Sequence, residues 1–168
     1  MYINEVPLFT INEILDMAIR IEKNGESVYR SAIEKISNPK LVSLLNWMAD
    51  EEADHAKWFY ELKQEVELHS KNPFGQEMSQ EFLNDLIGDQ SFSLKEVDFS
   101  QVVRINDLIN IFIEFEKDSI LFYEMLIPFI RDEDILTQLY KIIAEEKGHV
   151  DQLRELIGSE PSLNERAD

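Results

Sequence analysis

Asp50-Glu51-Glu52-Ala53-Asp54-His55 and Ala144-Glu145-Glu146-Lys147-Gly148-His149 carry the same Glu-Glu-x-x-His signature, 94 residues apart. Residues three apart on a helix share a face, so Glu52 with His55, and Glu146 with His149, can each grip one site. The same shift of 94 places Glu22 on Glu116. It also aligns Ile11-Asn12-Glu13-Ile14-Leu15 with Ile105-Asn106-Asp107-Leu108-Ile109, Val28-Tyr29 with Phe122-Tyr123, and Leu62 with Leu156, without a gap. The chain therefore reads as two copies of a helical hairpin packed face to face.

Steps of four and three trace the inward stripe of each helix in a bundle. The first stripe is Ile11, Leu15, Ala18, Glu22, Gly25, Tyr29, Ala32, Ile36. The second is Leu41, Leu45, Met48, Glu52, His55, Phe59, Leu62, Val66. The third is Ile105, Ile109, Phe112, Glu116, Ser119, Tyr123, Leu126, Ile130, and the fourth Ile135, Leu139, Ile142, Glu146, His149, Leu153, Leu156. Each is apolar except near its middle, and the exceptions fall at one level. A buried carboxylate without a partner costs several kcal/mol or takes up a proton. No Lys or Arg stands on any stripe. Two divalent cations would bring four positive charges against four carboxylates, with neutral imidazoles completing the coordination. One Glu on each of two helices, plus Glu-x-x-His on each of the other two, is the di-iron or di-manganese carboxylate pattern. Carboxylate and imidazole also suit zinc.

Punctuation residues set the helix limits. Thr10-Ile11-Asn12-Glu13 predicts a capping box opening a first helix that runs to about Ile36. Asn38-Pro39 predicts an N-cap and first-turn proline for a second helix to about Leu68. A third is expected over about Asn106 to Ile127, ended or kinked by Pro128, and a fourth from an Asp132 N-cap to about Ile157, with Gly158 just past its end. The 37 residues from His69 to Ile105, with a short helix expected from Ser79 to Ile87, are long enough to cross the length of a bundle. The expected architecture is a single all-α domain over residues 1–168: repeat 1 at about 11–68, a crossover at about 69–105, and repeat 2 at about 106–158.

Composition removes other classes. The 168 residues contain no cysteine, which excludes disulfides and thiolate metal sites within them. A net charge of −18 argues against nucleic acid and anionic membrane as partners. Met1 to Thr10 has neither a basic nor an apolar signal region, and no apolar run reaches bilayer length, so a cytoplasmic protein is expected.

At these residues the chain resembles the ferritin-like superfamily and, within it, the rubrerythrin family, over about Thr10 to Gly158. The stretches that carry the likeness are Ala18-Ile19-Arg20-Ile21-Glu22 and the two Glu-Glu-x-x-His segments. The resemblance implies a ferritin-like four-helix bundle with one long crossover and a di-iron site. Glu52 and Glu146 would bridge two iron ions, Glu22 and Glu116 would be terminal ligands, and His55 and His149 would take one metal each. It also implies reaction of Fe(II) with O2 or H2O2, of ferroxidase or peroxidase type, and a homodimer or higher homo-oligomer.

The chain departs from the family in two ways. Rubrerythrins proper carry a rubredoxin-like domain with four cysteines; this chain has none, so an external electron donor is expected. They also carry a further metal-binding glutamate one turn past the third-helix ligand. Ser119 stands there, with Gly25 as its repeat mate. These small residues either leave room for a bound oxygen species or are close-packing positions. Glu51 and Glu145 are candidates to hydrogen-bond the histidines. Tyr29 and Tyr123 are candidates to donate hydrogen bonds or electrons near the metals. Trp47 and Trp58 read as packing or interface residues, and His69 as a surface histidine. Beside an oxidoreductase stand two other readings: an iron-binding, sequestration or sensing module without multiple turnover, and a purely structural bundle.

Overall fold

The computed structural model describes residues 8–9, 11–69, 78–79 and 104–159. Four long helices fill it: α1 (Ile11–Ile33), α2 (Pro39–His69), α3 (Ile105–Leu126) and α4 (Glu133–Ser159). Two short strands, β1 (Leu8–Phe9) and β2 (Met78–Ser79), pair antiparallel. Ser79, expected to open a short helix, thus lies in a strand; the rest of that expected helix, and the expected crossover apart from its ends and β2, lie outside the described residues.

Local chemistry sets the helix limits. Asn38 Oδ1 accepts hydrogen bonds from the backbone N–H of Lys40 (3.0 Å) and Leu41 (3.1 Å), capping α2. Asp132 Oδ1 does the same for Asp134 (3.0 Å) and Ile135 (3.2 Å) at the start of α4. Helix α1 stops at Ile33 rather than Ile36. There Lys35 and Ile36 donate to carbonyls three residues back, tightening the chain before Asn38 must leave helical geometry. Helix α3 starts at Ile105 after an extended Arg104 that offers no side-chain cap, and passes into a 3-10 turn, Ile127–Phe129, at Pro128. Gly158 lies inside the bounds of α4, not beyond them.

The core has two apolar halves. One gathers Ile14, Leu15 and Ala18 from α1, Phe59 and Val66 from α2, Phe122 and Leu126 from α3, and Leu139 and Ile142 from α4. The other gathers Tyr29 and Ala32, Leu41 and Leu45, Ile109 and Phe112, and Val150 and Leu153. These memberships fix direction. The α2 C-terminus and the α3 C-terminus share the first half, whereas α2 and α3 both begin in the second. They therefore run parallel, and the chain between them must traverse the bundle, roughly 45 Å for a helix of about 30 residues. Helices α1 and α4 run the opposite way. Between the two apolar halves lies the polar level. Arg30–Asp50 (2.5 Å), Lys63–Asp16 (2.7 Å) and Lys147–Glu124 (2.6 Å) each join the two helices of one hairpin at the surface, where such pairs contribute little.

Candidate metal centre

The six predicted residues meet at the middle of the bundle. Glu22 comes from α1, Glu52 and His55 from α2, Glu116 from α3, and Glu146 and His149 from α4. None is more than 5% exposed, so bulk water cannot solvate their charges. Glu22, Glu52, His55 and Glu146 offer ligand atoms within 4.8 Å of one another, and so do Glu52, Glu116, Glu146 and His149. The two groups share Glu52 and Glu146. They form two adjacent positions, each with one carboxylate and one imidazole of its own and two carboxylates in common.

Contacts behind these residues cross between the hairpins. Tyr29 donates its hydroxyl to Glu116 Oε1, and Tyr123 donates to Glu22 Oε1. His55 Nε2 lies 3.0 Å from Glu145 Oε2, and His149 Nε2 lies 2.7 Å from Glu51 Oε2. A carboxylate behind Nε2 holds the proton there and frees Nδ1 to face inward. Both Nδ1 atoms point at Glu146, at 2.9 Å from His55 and 3.0 Å from His149. Yet His55 Nδ1, Glu22 Oε2 and Glu146 Oε1 are buried without an aligned hydrogen-bond partner. Orphaned donors and acceptors converging in a dry interior are what a divalent cation would satisfy, and oxygen with imidazole nitrogen suits iron, manganese or zinc.

Without metal, protons balance the charge. Burial opposes a charged imidazole, but Glu146 and Glu22 outweigh it and push His55 up to about 11. Glu116 and Glu146 likewise push His149 up to about 11 against burial. Burial and the neighbouring carboxylates raise Glu52 well above the usual carboxylate range. Burial also raises Glu116, to about 8, with Glu146 adding and His149 opposing. Burial works against Glu146 as an anion too, but the hydrogen bond from His149 and the close approach of His55 hold it below the usual range. Burial first, and then Glu116 for Tyr29 and Glu22 for Tyr123, keep both phenols protonated and so able to donate.

The small residues at this level differ in use. A Cβ on Gly25 would sit 3.2 Å from Glu52 Cδ and Oε2, so the glycine makes the space the Glu52 carboxylate fills. Ser119 is buried and returns its hydroxyl to the Phe115 carbonyl of its own helix (3.3 Å), so the serine is tied back to α3. One further residue touches the centre: the Trp47 indole meets the His149 ring edge-on, with centroids 5.1 Å apart. The sequence alone reads Trp47 as a packing or interface residue. Its spacing from Glu51, one turn along α2, was the available signal that both reach the same imidazole. His69 lies at the exposed end of α2, its Nδ1 3.2 Å from the Glu65 carbonyl.

Comparison with known proteins agrees with this geometry. No curated protein matches the chain. A crystal structure of a candidate ferritin-like diiron-carboxylate protein from Thermotoga maritima superposes with a TM-score of 0.64 at 23% identity, covering 90% of this chain and 97% of that one. At that identity the likeness establishes the fold: a ferritin-like four-helix bundle. The family described as Rubrerythrin matches residues 13–157, a span that holds all six candidate ligand residues. The chain belongs to the rubrerythrin family.

Proposed function

We propose that this protein is a di-iron carboxylate oxidoreductase that oxidises Fe(II) with O2 or H2O2. The observation that carries the reading is the pair of buried four-residue groups sharing Glu52 and Glu146. In this reading Glu52 and Glu146 would be shared by both metals, while Glu22 with His55, and Glu116 with His149, would each hold one. Two iron ions would supply two electrons, the number that H2O2 needs for reduction to water.

The protein's own residues prepare the site for that chemistry. Tyr29 and Tyr123 each hold one oxygen of a terminal glutamate, leaving the other to face inward. Glu51 and Glu145 fix the imidazole tautomers. The apolar halves on either side keep bulk water from the level where charge is concentrated. The net charge of −18 raises the local concentration of Fe(II) around the molecule. No described helix is long and apolar enough to cross a membrane. With no cysteine in the 168 residues, repeated turnover would draw electrons from a donor outside them.

Metal analysis of protein purified from iron-supplemented cells, followed by anaerobic Fe(II) titration and exposure to O2 or H2O2, tests this. Two irons per chain and steady oxidant consumption with a reductant are expected. A single stoichiometric burst would assign the centre to iron sequestration or sensing instead. Less than one metal per chain, with no absorption change on adding Fe(II) and oxidant, would sink the di-iron reading.

A further inference from the structure

The six inner residues obey the 94-residue repeat, and so do the Glu51/Glu145 and Tyr29/Tyr123 pairs behind them, but Trp47 and Lys141 do not. Behind His149 stands Glu51, 2.7 Å from Nε2, and among the described residues no lysine or arginine approaches Glu51 within ion-pair distance. Trp47 closes the same side, its indole edge-on to the His149 ring. Behind His55 stands Glu145, at 3.0 Å from Nε2. The other Glu145 oxygen faces Lys141 Nζ at 3.5 Å. Lys141 occupies the place where the repeat would put a second Trp47.

The exchange of an indole for a lysine has a direct consequence. A carboxylate behind an imidazole increases the electron density that the ring offers to a metal. A cation on that carboxylate draws the density back. Burial points the same way: His149 is fully buried, while His55 is 5% exposed. Glu51 and Glu145 are similarly exposed, at 25% and 29% of their side chains, so their own access to solvent does not offset the difference.

Building on the di-metal reading above, we propose that the two positions are unequal. The position at Glu116 and His149 retains its metal, and the position at Glu22 and His55 exchanges metal with solution. Lys141 is a positioning residue for this difference, acting through Glu145. If Fe(II) is the substrate, it is taken up at the Glu22–His55 position.

Equilibrium dialysis against Co(II), which reports binding without turnover, tests the inference. Helical circular dichroism confirms that each variant is folded. The wild type should bind two Co(II) in steps separated by about tenfold. His55→Ala should keep the tighter step, and His149→Ala only the weaker one. Lys141 is 64% exposed, so Lys141→Gln leaves the core intact. It should tighten the weaker step by about two- to fivefold and leave the tighter one unchanged, the modest size expected of an exposed ion pair. Two steps of equal affinity, His55→Ala keeping the weaker step, or Lys141→Gln moving both steps together or neither would overturn the proposal. Failure of the wild type to bind any Co(II) would remove the di-metal reading itself, and this inference with it.

Discussion

The two hairpins contribute the same residue types at the same intervals, yet their shared glutamates behave oppositely. Glu52 is raised by burial and by its carboxylate neighbours, whereas Glu146 is held low by the imidazoles. The cause is geometric. Both histidines turn Nδ1 to Glu146, at 2.9 and 3.0 Å, while the Glu52 carboxylate lies 3.8 Å from His149 Nδ1. Repetition in sequence therefore determines which side chains face inward but leaves the charge distribution to local distances. Without metal, one shared carboxylate serves both imidazolium ions and the other takes a proton. Two cations would remove that inequality by giving each shared carboxylate the same counter-charge.

Removing a shared carboxylate should have the largest effect on this comparison. Glu146→Ala is expected to abolish binding at both positions, measured as metal per chain. It should leave the metal-free protein destabilised by several kcal/mol in chemical denaturation, because two buried imidazolium ions lose their common partner. Glu52→Ala should abolish binding equally but cost the metal-free fold far less, since it deletes a protonated group. Equal destabilisation by the two variants would show that the inequality is not real.

Next come the small residues. Gly25→Ala should weaken metal binding by about tenfold by crowding Glu52, while raising metal-free stability by up to about 1 kcal/mol through helix propensity. Ser119→Ala removes only a bond to its own helix and should change either property by no more than about 0.5 kcal/mol. Titration and thermal melting of both variants decide the matter, and similar binding losses would break the distinction. The phenols should separate the two positions further. Tyr123→Phe is expected to weaken the Glu22–His55 position and Tyr29→Phe the Glu116–His149 position, each by about 1–2 kcal/mol of binding free energy. Loss at the same position from both variants would contradict the crossed pattern of contacts.

The smallest signal is protonic. Both histidines are pushed up to about 11 in the metal-free protein, above the ordinary 6.5. Their contacts therefore stabilise the metal-free fold fully below pH about 6.5, and that stabilisation is lost as pH rises through about 11. Metal must displace these protons, so loading at neutral pH should release at least about two per chain and tighten as pH rises. A pH-indicator dye in weak buffer measures the release. Loading without it would show that the imidazoles are already neutral.

The inner level was legible because buried charge is rare: a glutamate on an apolar stripe stands out whatever the surrounding sequence. The Asn38 and Asp132 caps were legible for a similar reason, since few residues satisfy free backbone N–H groups. The bundle direction followed from the length of the 69–105 segment, and the ends of α2 and α3 require that traverse. Less was visible one shell out. Glu51 and Glu145 lie one residue off their stripes, among acidic residues that face solvent, so periodicity could not single them out. The spacing of Tyr29 and Tyr123 placed them near the centre but not on the opposite hairpin's glutamate, because helical periodicity describes one helix and not the rotation of its neighbour. Trp47 was hidden the same way, as was the space beneath Gly25, which depends on where the Glu52 side chain lies.

The crossed contacts carry a historical consequence. Each hairpin holds one tyrosine, one outer carboxylate and one Glu-x-x-His pair, and each tyrosine and outer carboxylate acts on the other hairpin. A single hairpin of this kind would meet these partners only across a two-chain interface. Joining the two copies into one chain made that encounter independent of concentration. It also let the two sides accept different substitutions for the first time, and Trp47 opposite Lys141 records that freedom.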